Sequence, residues 1–122
     1  MSRNICAVMS IYNKKEIEIF KRVVRDYKQM KSEIETRINN GYTFENLVDY
    51  IRHLANCNIT NYGGLEGRNY VDFNYNDMCI TIIETNHLFL NDYIEVWNDE
   101  ETYYIGTFSS VEELENIIKG SE

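Results

Sequence analysis

Between Tyr70 and Ile83 the sequence reads YVDFNYNDMCITII, two alternating apolar runs on either side of Asn76-Asp77. A two-residue turn at Asn76-Asp77 pairs Tyr75 with Met78, Phe73 with Ile80 and Val71 with Ile82, and all six fall on one face. The reverse face carries Tyr70, Asp72, Asn74, Cys79, Thr81 and Ile83. A slip of one residue would bury that mostly polar set, so the register is strongly specified. A hairpin with one apolar face must be covered by another layer.

The covering layer is predicted to be helical. Asn13 with Glu16 resembles a capping pair, and Ile17, Phe20, Val24, Tyr27, Ile34 and Ile38 recur at helical spacing until Asn40-Gly41 ends a helix of about seven turns. Thr43 can cap a second helix with Leu47, Val48, Ile51, Leu54 and Ala55 on its buried side. The short Asn39 to Tyr42 connection makes these two antiparallel neighbours. Asn58 to Gly67, NITNYGGLEG, reads as a loop. Ser109 and Ser110, each three residues before a glutamate, open a last short helix along Val111, Leu114, Ile117 and Ile118. Asn4 to Tyr12 reads equally as a short strand or a helical turn.

A second hairpin is expected around Asn98-Asp99-Glu100-Glu101. Pairing Trp97 with Thr102 sets Val96 against Tyr103, Glu95 against Tyr104, Ile94 against Ile105 and Tyr93 against Gly106. Ile94, Val96, Tyr103 and Ile105 then share the core face. Tyr93, Glu95, Trp97, Tyr104 and Phe108 share the other, which is either a second layer of core or a half-exposed surface. The fold class is α+β: two N-terminal helices packed on an antiparallel four-stranded meander, with a short C-terminal helix, in a single domain of residues 1 to 122.

The net charge of −8 hides a gradient along the chain. Residues 1 to 57 hold ten Lys/Arg against seven Asp/Glu, whereas residues 58 to 122 hold two against thirteen. Lys14, Lys21, Arg25 and Lys28 form a row on the first helix, while the stretch from Asp92 to Glu113 has the single tryptophan and no lysine or arginine. If the halves occupy different faces the molecule is dipolar, and its acidic end repels nucleic acid and attracts cations. Head-to-tail or twofold self-association also follows from such a dipole.

Motifs for catalysis are missing. Only two histidines are present, and no nucleophile elbow surrounds a serine, cysteine or threonine. His53 and Cys57, four apart on the second helix, share a face and could offer two metal ligands, but a site needs more. Gly63-Gly64-Leu65-Glu66-Gly67 lacks the lysine and the context of a phosphate loop. Three widely spaced cysteines suit a reducing cytosol. No apolar run reaches the roughly 18 to 20 residues of a membrane span, so a cytoplasmic protein is expected.

These features point to a non-catalytic binding protein without cofactor or metal. Tyr93, Glu95, Trp97, Asp99, Glu100, Glu101 and Tyr104 would meet a basic partner protein, one that itself binds nucleic acid. The tip acids would stand in for phosphates and the rings would anchor. Fifteen isoleucines, fifteen asparagines and two alanines reflect A/T-rich codons and suggest a low-GC bacterium or its mobile elements. In size and composition the chain is similar in type to phage-encoded inhibitors of nucleic-acid machinery, anti-CRISPR proteins included. That resemblance rests on no shared motif and transfers no functional residue. An immunity or antitoxin protein facing a basic toxin would use the same surface. A metal site or enzyme at His53 and Cys57, and a nucleic-acid binder using the Lys14 row, are the rivals from other classes.

Overall fold

A computed structural model of the chain describes residues 12–65, 68–84, 88–98 and 103–121, the side chains at 65 and 88–93 excepted. The Asn4 to Tyr12 segment, Tyr12 apart, and the acidic tip at Asp99, Glu100 and Glu101 lie outside the described residues.

The first helix, α1, runs from Lys14 to Asn39. The Asn13 side chain accepts from the Glu16 amide at 2.8 Å, and the Glu16 carboxylate accepts from the Asn13 amide at 3.0 Å, a reciprocal cap that satisfies two otherwise orphaned donors. Gly41, at φ 93°, occupies the left-handed region that lets the chain leave the helix. Thr43 and Asn46 make the same box for α2, Phe44–Arg52. α2 is shorter than its apolar pattern predicts: His53 caps it, and Leu54 and Ala55 follow in a turn that leads directly into a strand.

That strand, β1 (Cys57–Leu65), replaces the expected loop and brings the sheet to five strands instead of four. Its asparagines and glycines are poor strand formers, but a full ladder against β2 (Arg68–Tyr75) holds it. β2 and β3 (Met78–Glu84) pair in the predicted register, with Tyr75 opposite Met78, Phe73 opposite Ile80 and Val71 opposite Ile82. Asn76, at φ 54°, makes the turn. β4 (Leu88–Asn98) and β5 (Tyr103–Phe108) complete an antiparallel sheet ordered as the strands follow in sequence, and α3 (Val111–Gly120) closes the chain. β4 starts at Leu88.

The second hairpin corrects the expected register. Ile94 faces Phe108, Glu95 faces Thr107, Val96 faces Gly106 and Trp97 faces Tyr104, so β5 carries one extra residue, Ile105, between the last two pairs. This bulge resets the alternation. Tyr104 points to the reverse face as expected, whereas Phe108, expected beside it, turns into the core at 3% exposure and meets Phe20 edge-on at 5.3 Å. Gly106 makes room for that ring, because a Cβ there would sit 3.0 Å from it.

One cluster joins the helices to the first face of the sheet. Phe20, Val23, Tyr27 and Ile34 from α1, Leu47 and Ile51 from α2 and Leu114 from α3 pack with Val71, Phe73, Ile80, Ile82, Ile94 and Val96. α1 approaches β4 and α3 most closely, and α2 lies against β1. None of the described helices is long and apolar enough to cross a membrane.

The charge gradient along the chain does not become two oppositely charged ends. Lys28 reaches Glu115 of α3 at 2.6 Å, Arg22 reaches Asp77 in the hairpin turn at 3.2 Å, Arg25 meets Asp26 and Lys21 meets Glu18. The predicted basic row is therefore laced with carboxylates. The three described helices hold ten Lys/Arg and ten Asp/Glu, so the remaining ten carboxylates and two cations carry the whole −8.

Candidate partner-binding face

Every described helix gives its apolar stripe to the first face of the sheet, and the reverse face is left to exposed and half-buried side chains. Alternation dictates what stands there. On β4, Ile94 and Val96 are fully buried while Glu95 and Trp97 between and beyond them point the other way. Trp97 is 39% exposed and Tyr104, directly opposite on β5, is 47% exposed. Their ring centroids lie 5.2 Å apart at 64°, an edge-on contact that fixes both rings without stacking them face to face. The Tyr104 hydroxyl shares a hydrogen bond with the Thr107 hydroxyl, and the Trp97 amide donates to the Asp77 carbonyl at 2.7 Å.

A row crosses the whole sheet below this pair: Asn58, Asn74, Cys79, Glu95 and Thr107 face one another in turn from β1 to β5. In the next row Asp72 accepts from the Thr81 hydroxyl at 2.5 Å. Burial pushes the Cys79 thiol up to about 11, and the negative charges of Glu95 and Asp72 add to the shift. At neutral pH it is a protonated, unreactive group. Glu95 has no hydrogen bond or ion pair among the described residues, whereas Asp77 is held by Arg22.

At the turn end of this face lies an open groove of about 630 Å³ lined by Thr60, Asn74, Asn76, Asp77, Cys79, Glu95 and Trp97, with Met78 and Asn98 at its base. It contains two carboxylates and no cation. Of the residues predicted for the site, Glu95, Trp97 and Tyr104 are brought together. Tyr93 belongs to β4 where its pairing with β3 slips, from Ile80 opposite Ile94 to Ile82 opposite Leu90, and its side chain is outside the description. Asp99, Glu100 and Glu101 are outside it altogether. Thr60, Asn74, Asn76, Asp77 and Cys79 are additions that sequence reasoning did not assign. The alternation of β2 and β3 had already placed Asn74 and Cys79 on the reverse face, and what was missing was the pairing that sets Cys79 beside Glu95.

The expected His53 and Cys57 face does not form. Because α2 ends at Arg52, His53 is an exposed cap whose ring meets the Asp49 carbonyl at 2.8 Å, while Cys57 begins β1 and packs against the core. Burial, with the charge of Glu33, pushes that thiol up to about 11 as well. Gly63 and Gly64 are strand residues opposite Tyr70 and Asn69. Among the described residues no group of three or more His, Cys, Asp or Glu is arranged to hold a metal. Comparison with protein-family models, characterised proteins and solved structures returns no match to this chain.

Proposed function

We propose that the protein is a non-catalytic binding module whose reverse sheet face, centred on Trp97, docks on the basic surface of a partner protein of the kind that binds nucleic acid. The observation that carries this reading is the exposed Trp97–Tyr104 pair set beside Glu95 on a face whose groove has carboxylates and no cation. Fixed aromatic rings supply contact area at little entropic cost, and nearby carboxylates attract and orient a cationic surface. Asp99, Glu100 and Glu101 follow Asn98 in the sequence and are part of the proposed acidic surface. A cytoplasmic setting in a bacterial or phage-infected cell fits this reading.

The test uses the full chain as bait in a lysate of a low-GC bacterium, with salt elution. Wild type is expected to retain a basic protein that salt releases, because exposed charge contacts are screened. Trp97→Ala and a triple charge reversal at Asp99, Glu100 and Glu101 are each expected to lose it while remaining folded. Retention by both variants removes this face from the proposal.

A further inference from the structure

The geometry points to the groove beside Trp97 as a receptor for a single arginine side chain of the partner, its guanidinium lying on the indole and paired with Glu95. This rests on the partner-face reading and names the group which that face recognises.

Three features select the guanidinium. The first is spacing. Glu95 and Trp97 stand two residues apart on one face of β4, so a flat cation on the ring lies within reach of the carboxylate. The second is availability. Asp77, the other acid of the groove, is already taken by Arg22 at 3.2 Å, whereas Glu95 has no such partner among the described residues. The third is the distribution of acceptors. Thr60 and Asn74 line the same groove and offer a hydroxyl and an amide oxygen, while the Asn76 amide is turned to Asp26 at 3.0 Å. A planar group with five donors can use several of these at once while stacking, whereas a compact ammonium presents three donors to one point. Anions are disfavoured, since Glu95, Asp77 and nearby Asp72 all repel them.

Trp97 is the only tryptophan, so its fluorescence reports on the groove alone. The peptide Ac-Gly-Arg-Gly-NH2 is titrated into the full protein at constant ionic strength, beside peptides with lysine or citrulline at the central position. The arginine peptide is expected to give a saturable change, the lysine peptide a several-fold weaker one and the citrulline peptide none. Glu95→Gln, which keeps the reporter and the shape, is expected to weaken arginine binding about tenfold, the loss of one charge-assisted contact. Equal responses to arginine and lysine, no response to arginine, or an unchanged affinity in Glu95→Gln overturns the arginine receptor. The partner-face reading is judged separately: if Trp97→Ala loses the salt-eluted partner while the arginine peptide is silent, the face stands and the receptor falls.

Discussion

The two faces of the sheet are built from the same strands and differ by one residue at every step. Ile94 and Val96 on β4 are sealed under α1, while Glu95, half-buried, and Trp97, exposed, lie on the reverse face. On β2, Val71 and Phe73 are fully buried, and Asp72 and Asn74 are not. A strand thus divides its residues between holding the fold and offering a surface, with the backbone as a common wall. The consequence is that stability and binding are separable by neighbouring substitutions, which is uncommon where a site is a cavity in the core. Helix charges sharpen the contrast, since the helices hold equal numbers of cations and carboxylates and the excess negative charge belongs to the rest of the chain.

The largest effect should come from the sealed face. Phe73→Ala removes a fully buried ring and is expected to cost about 3–5 kcal/mol of unfolding free energy, read by urea denaturation. Gly106→Ala on the same side of β5 should cost about 1–3 kcal/mol, because the new methyl would lie 3.0 Å from the buried Phe108 ring. If Gly106→Ala is neutral, the inner side of β5 is looser than its burial indicates. On the open side Trp97→Ala should cost less, about 1–3 kcal/mol, since it breaks the ring pair and loses the burial of part of an indole that is 39% exposed. A loss equal to that of Phe73→Ala would make Trp97 a structural residue and erase the contrast between the faces.

How far the sequence foretold this depends on what fixed each element. The β2–β3 register was legible because a two-residue turn and six alternating apolar residues leave one arrangement. The caps at Asn13, Thr43 and Ser110 were legible because they are local, set within three residues. β1 was not, since Asn-Ile-Thr-Asn-Tyr-Gly-Gly becomes a strand only through pairing with β2. Phe108 was misassigned because one extra residue at Ile105 inverts everything after it, and no residue type marks that position. Charge counting along the chain could not see that Lys28 meets Glu115, 87 residues away. Glu95, Trp97 and Tyr104 emerged together because their alternation survives the bulge. The groove around them needed the order of the strands.

The smallest effect concerns Cys79, which reports the electrostatics of the open face from within it. In the unfolded chain such a thiol ionises near 9.0, whereas in the native protein burial first, then Glu95 and Asp72, hold its proton to about 11. Between those values the unfolded state carries fewer protons than the native one. Stability from this group is therefore complete below pH 9.0 and falls as pH rises toward 11. In a Cys6→Ser, Cys57→Ser background, alkylation by iodoacetamide isolates Cys79, and its rate in the native protein should climb at higher pH than in urea. Glu95→Gln removes the larger of the two charge effects, so it should move the native midpoint downward and speed alkylation at a given pH. An unmoved midpoint in that variant would mean that burial and Asp72 set the thiol without Glu95. The Glu95 carboxylate would then project away from the sheet, out of reach of a guanidinium on the indole.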